Sequence, residues 1–212
     1  VRATIAVSPG ALVRQHPLVL VAVLATLAVT ATACSSPPPA DAPAAAGAAQ
    51  PAVPPPGDPA TLVPDPAMAC TMCGEWNQPR APFKVFGNTY FVGTQGLSSV
   101  LIDTGGAGLV LIDVALPQSA PLIDANVRTL GLRTTDIRYI LTSHAHYDHL
   151  GGVRSMQRFT RATVLASAST AQALRLGHPV PEDPQFGDGP DDRFPAVTDP
   201  RVMKDGEAIK LG

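Results

Sequence analysis

Three of the chain's five histidines fall within six residues, His144-Ala145-His146-Tyr147-Asp148-His149. Neutral imidazole is the commonest metal ligand, and a neighbouring carboxylate adds a hard anionic oxygen. His144 and His146 are two positions apart, so one bent loop can aim both at a single ion. Asp148 and His149 are adjacent and can serve a second ion close by. A pair of ions held this way can activate water as a nucleophile and polarise a carbonyl oxygen as a Lewis acid. The residues therefore point to zinc-dependent hydrolysis, with His144, His146, Asp148 and His149 as metal ligands. His178 stands apart in a proline-rich stretch and reads as a solvent-exposed side chain.

The elements around this motif are those that would position it. A β-rich run, Ile137 to Thr142, leads into it through Ser143, and ligand sites in layered α/β folds gather at strand ends. Gly151-Gly152 follows and allows a tight turn into the next helix. Further upstream, Lys84 to Phe86 and Thr89 to Val92 read as strands around a Gly87-Asn88 turn. Ser98 to Asp103 and Leu109 to Asp113 read as two more, the second apolar enough for a central strand buried on both faces. Ala120, Ile123, Val127 and Leu130 recur at helical spacing, with Gly131 as a C-terminal cap. After the motif, Val153 to Phe159 reads as a helix and Ala162 to Ala166 as a strand. Thr170 to Leu176 is a helix ended by Gly177. Hairpins first and strand–helix alternation afterwards predict an α/β layered fold. Residues 178–200 hold six prolines and five aspartates. They read as a long loop, either a wall of a binding site or a solvated connector.

The N-terminal third differs in composition. Arg2 and Arg14 precede an apolar run, Leu18 to Val29, and then Ala31-Thr32-Ala33, so residues 1–33 read as an export signal. Cys34 follows directly. Lipid modification at Cys34, which would anchor the protein to a membrane, and ordinary cleavage after Ala33 explain the same residues. Eleven of the chain's 23 prolines lie between Pro37 and Pro66, so 34–66 reads as an extended linker. The folded domain is then expected over 67–212, in an exported, periplasmic protein.

Without residues 1–33, 13 of the 15 basic residues remain against 17 acidic ones. No basic stripe exists to neutralise phosphates, which excludes a nucleic-acid partner. Cys70 and Cys73 form a C-x-x-C without the second pair a zinc ribbon needs and outside a strand-to-helix context. A structural cysteine or a local disulfide is the better reading than redox catalysis. The sequence does not specify an oligomeric state.

The histidine motif with Gly151-Gly152 resembles the signature of the metallo-β-lactamase superfamily. The flanking segments resemble subclass B3 in particular: Gly87-Asn88-Thr89-Tyr90-Phe91-Val92-Gly93-Thr94, Leu111-Ile112-Asp113, Asn126-Val127-Arg128 and Asp183-Pro184-Gln185-Phe186-Gly187. That resemblance implies a four-layer αββα sandwich, of which residues 67–212 supply the N-terminal half and part of the second. It implies two zinc ions, the first on His144 and His146 and the second on Asp148 and His149. Asp148 would also orient the nucleophile that opens a β-lactam ring in penicillins, cephalosporins and carbapenems. In the family each ion takes one further histidine, the first from a G-H-T-P-G-like segment, and no histidine follows His178 here. The chain thus reads as the N-terminal part of such an enzyme, inactive by itself. A thioesterase or lactonase of the same superfamily and a non-catalytic, tethered zinc-binding lipoprotein are the alternatives. The family's cysteine just after the strand-turn motif is Gln95 here, so the resemblance names no partner for Cys70 or Cys73.

Overall fold

A computed structural model describes residues 3–5, 61–187, 189 and 192–211. Apart from Ala3–Ile5 and residues 61–66, the expected export signal, Cys34 and the linker lie outside the described residues. Among the described residues no helix is long and apolar enough to cross a membrane.

The main body is one seven-stranded sheet whose strands lie side by side in chain order. Strands β2 (Phe83–Phe86), β3 (Thr89–Phe91), β4 (Val100–Asp103) and β5 (Leu109–Ile112) form an antiparallel meander. From β5 onward the neighbours β6 (Ile137–Leu141), β7 (Thr163–Ala166) and β8 (Arg201–Val202) run parallel. The change follows from the connections. A tight turn can join only antiparallel neighbours, whereas parallel ones need a crossover, usually helical. Helix α2 (Ala120–Thr129) supplies the crossover from β5 to β6. Helices α3 (Tyr147–Leu150) and α4 (Val153–Thr160) lie between β6 and β7, and α5 (Ala168–Leu176) between β7 and β8. Outside the main sheet, β1 (Ala3–Ile5) pairs antiparallel with β9 (Ile209–Leu211).

The core follows the apolar pattern. Leu109, Val110 and Leu111 of β5 are buried in succession, as a strand covered on both faces requires. Ala120, Ile123 and Val127 give α2 one buried stripe, and Val153 and Met156 do so for α4. Ser167 starts α5 by accepting a hydrogen bond from the Thr170 amide, and Gly177 ends it in the left-handed conformation at φ 76°. Asn126, on α2, donates to the carbonyls of Val92 and Gly93 at 2.9 Å each, fixing the helix against the end of β3.

Several expectations need revision. Ordered packing begins before residue 67. Leu62 is buried, and the buried Asp65 carboxylate accepts from Arg154 and Arg158 on α4. A short helix, α1 (Cys73–Trp76), was not legible in the sequence, and neither were β8 and β9. The cysteine reading stands: Cys70 and Cys73 are disulfide-bonded to each other, the local disulfide expected. Gly151 and Gly152 serve close approach more than turning, because both lie in the ordinary right-handed region. A Cβ on Gly152 would sit 2.5 Å from the Val114 carbonyl oxygen, and one on Gly151 would sit 2.6 Å from the Pro117 nitrogen.

Leu111 is fully buried in the centre of the sheet. Leu111→Ala should lower the unfolding free energy by about 2–5 kcal/mol, through lost burial and a residual cavity. Urea denaturation followed by circular dichroism measures this, and a loss below about 1 kcal/mol would mean that the site collapses around the deletion.

Candidate metal centre

The site lies at the carboxyl ends of the adjacent parallel strands β5 and β6. Asp113 immediately follows β5, and Ser143 to His149 follow β6. The Asp113 amide donates to the Leu141 carbonyl, extending the strand pairing by one bond. Asp113 then takes a left-handed conformation at φ 57°, and Ala115 does the same at 52°. The chain so bent brings the Val114 amide to the His149 carbonyl and the Gly152 amide to the Ala115 carbonyl. The segment after β5 is thereby bonded to the segment that carries the histidines.

Asp113 is buried, and its carboxylate is saturated by this neighbouring loop. Oδ1 accepts from the Ser143 amide at 2.8 Å, and Oδ2 accepts from the Ser143 hydroxyl at 2.6 Å. His149 Nδ1 lies 2.8 Å from the same Oδ2. A carboxylate on one ring nitrogen fixes the tautomer and leaves the other nitrogen as the ligating one. That other atom, His149 Nε2, lies 3.6 Å from Asp148 Oδ2, as two donors serving one ion would.

The remaining imidazoles are arranged in the same way. His144 Nδ1 lies 2.9 Å from the Ser143 hydroxyl, and His146 Nε2 lies 3.1 Å from Asp183 Oδ1. Each of the three rings thus has one nitrogen engaged by an oxygen, which leaves the opposite nitrogen to coordinate. His144 sits between the others, its ring centroid 4.5 Å from that of His146 and 4.0 Å from that of His149. Burial, reinforced by the two neighbouring imidazoles, holds His144 below the ordinary histidine pKa. It is therefore neutral at neutral pH, as a ligand must be. His149 goes the other way. Burial opposes its charge, but the Asp113 hydrogen bond and the Asp113 and Asp148 charges outweigh burial and raise its pKa.

The structure thus brings His144, His146, Asp148 and His149 into one cluster. The donor set of three imidazoles and a carboxylate suits a borderline metal such as zinc. Among the described residues, however, no three His, Cys, Asp or Glu side chains are placed to close around one ion. His178 is half-buried rather than exposed, with its Nδ1 2.7 Å from the Pro179 carbonyl and its ring centroid 6.3 Å from that of Phe186. A cavity of about 310 Å³ opens beside the cluster, lined by Leu141, Ser143, Leu165, Ser167, Met203 and Lys204 among others.

Three residues of this site were not among those the motif singled out: Asp113, Ser143 and Asp183. Asp113 had a signal, a lone carboxylate closing an otherwise apolar strand. Ser143 had none beyond its place ahead of the motif, and Asp183 only its place in the Asp183-to-Gly187 segment, since contacts across 30 or 37 residues are made only on folding.

Comparison with known proteins agrees with this geometry. A solved structure described as a B3 metallo-β-lactamase with an active-site glutamic acid is 52% identical, with a TM-score of 0.66 over 69% of this chain and 54% of that one. A metal-dependent hydrolase of Staphylococcus aureus is 38% identical over 61 residues, 28% of this chain and 27% of that protein. The hydroxyacylglutathione hydrolase of Rhodobacter capsulatus is 35% identical over 79 residues, 37% of this chain and 28% of that protein. The chain therefore spans about half the length of the solved structure and about a quarter of the two curated relatives. The family model of the metallo-β-lactamase superfamily matches residues 83–212, and with the histidine cluster at the ends of β5 and β6 this places the chain in that superfamily of metal-dependent hydrolases, with subclass B3 enzymes among its structural neighbours.

Proposed function

We propose that the protein this chain belongs to hydrolyses the amide bond of β-lactams with two zinc ions. His144 and His146 would hold the first ion, and Asp148 and His149 the second. The observation that carries this reading is the 52% identity to a B3 enzyme over 69% of this chain, together with three imidazoles that each keep one nitrogen available. Zinc bound there would supply Lewis acidity toward the carbonyl oxygen and make water acidic enough to act as nucleophile near neutral pH. The chain's own residues do the rest. Asp113 orients His149 and holds its tautomer. Asp148 accepts a hydrogen bond from the attacking water and aims it. Ser143 braces Asp113 and His144 together. The third ligand of each ion is not supplied by the described residues, so we propose that the 212-residue chain alone hydrolyses β-lactams far more slowly than an intact enzyme would. Export to the periplasm, with or without acylation of Cys34, belongs to the same proposal.

A thioesterase is the second reading, favoured by the match to a hydroxyacylglutathione hydrolase over 79 residues. The two are separated by assaying the protein, in the longest form its gene encodes, on a cephalosporin, a carbapenem and a glutathione thioester with zinc present. Ring opening with kcat/KM well above that for the thioester is expected, and the reverse order would establish the second reading. Asp148→Ala should lower β-lactam turnover by at least about 100-fold, since it removes both a ligand and the group that aims the water. Asp113→Ala, which removes the oxygen that His149 Nδ1 faces, should weaken zinc binding by about 10- to 100-fold, as loss of a carboxylate–histidine partner does. Competition with a chromophoric chelator measures that affinity, and an unchanged value would show that Asp113 does not position His149 for the metal.

A further inference from the structure

Among the described residues of the loop 178–200, the Asp183 carboxylate reaches the histidine cluster. Asp183 Oδ1 lies 3.1 Å from His146 Nε2, and the same oxygen accepts from the Gln185 amide at 2.9 Å. Asp183 also organises the turn through its backbone. Its amide donates to the Val180 carbonyl, and its carbonyl accepts from the Phe186 amide. The two stems of the loop are anchored elsewhere. Val180, Phe194 and Val197 are buried, and the Phe194 and Val197 amides bond to Gly177 and Leu174 at the end of α5. The tip has no such anchor, because Pro181, Glu182, Pro184, Gln185, Phe186 and Gly187 are all exposed. Its order therefore depends on hydrogen bonds that converge on Asp183, rather than on apolar burial.

We infer that Asp183 is a positioning residue that couples metal binding at His146 to the order of the 183–186 turn. The inference rests on His146 being a metal ligand. A carboxylate that accepts a hydrogen bond from Nε2–H fixes the tautomer whose lone pair is on Nδ1. With a divalent cation held by His146 through its other nitrogen, the Nε2–H would be a stronger donor to Asp183. That tightens the oxygen which also holds the Gln185 amide. Linkage makes the effect reciprocal: a turn already ordered raises metal affinity by the same factor by which metal stabilises the turn. Metal occupancy thereby decides how firmly the turn is held that carries Phe186, whose ring centroid lies 6.3 Å from that of His178.

The test uses the 212-residue chain with zinc as the probe. Zinc affinity is measured by chelator competition in the wild type, Asp183→Ala, Asp183→Asn and His146→Ala. Hydrogen–deuterium exchange of the Gln185 and Phe186 amides is followed with and without zinc. Zinc should slow exchange at both amides several-fold in the wild type. Asp183→Ala should bind zinc about 10-fold more weakly and lose the zinc-dependent protection. Asp183→Asn keeps an oxygen that accepts from Nε2–H and should retain affinity within a few-fold. Zinc binding that is lost in His146→Ala but leaves wild-type exchange at 185 and 186 unchanged would overturn the coupling while the ligand assignment stands. So would an Asp183→Asn variant as weak as Asp183→Ala. Zinc binding unaffected by His146→Ala would remove the ligand assignment itself, and the coupling with it. If Asp183→Ala fails to fold, the wild-type exchange comparison still decides the question.

Discussion

The Asp113 carboxylate joins the two halves of the site, and the rest of the arrangement depends on it. It is buried at the end of β5, where an unpaired charge would be costly. Its two oxygens accept from the Ser143 amide, the Ser143 hydroxyl and the His149 ring. One side chain therefore sets the spacing between the ends of β5 and β6 and the orientation of a candidate ligand. The backbone cooperates: the left-handed turn at Asp113 and Ala115 lets Val114 and Gly152 bond across to the same loop. Positive φ at a residue with a side chain costs about 1–3 kcal/mol and persists where surrounding bonds over-determine it. Here those bonds also position the site.

The rest of the sheet supplies rigidity to that junction. β5 and β6 are inner strands flanked by β4 and β7, with Leu111 and Ile140 fully buried. Sites built on the ends of such strands are better fixed than sites on free loops. The close approach of Gly151 and Gly152 to Pro117 and Val114 brings the start of α4 against the segment after β5. Any side chain at either position would push the histidine loop away from Asp113. The N-terminal segment contributes from outside, since Asp65 binds Arg154 and Arg158 on that same helix.

Much of this order was legible in the sequence. Strands β2 to β7 and helices α2, α4 and α5 fall within a residue or two of the positions their apolar periods and glycine caps indicate. Those signals are local, because burial periodicity and left-handed caps are written in neighbouring residues. The two-residue β8, which owes its strand character to pairing with β7, carried no such signal. The α1 turn, stapled by the Cys70–Cys73 disulfide, gave no helical period in four residues. The described residues of 178–200 form the loop expected, but nothing local showed that Val180, Phe194 and Val197 would be buried.

The sequence by itself determined the chemistry: three imidazoles and a carboxylate within six residues, after a strand and before two glycines. Residue type and short spacing suffice for that, since a ligand's donor atoms are fixed by its identity. The tertiary structure decided which ring nitrogen each histidine keeps available. That depends on Asp113, Ser143 and Asp183, and two of these arrive from 30 or more residues away. Such partners are chosen by the parallel pairing of β5 with β6 and by the return of the 178–200 loop, and no local pattern in the chain encodes either distance.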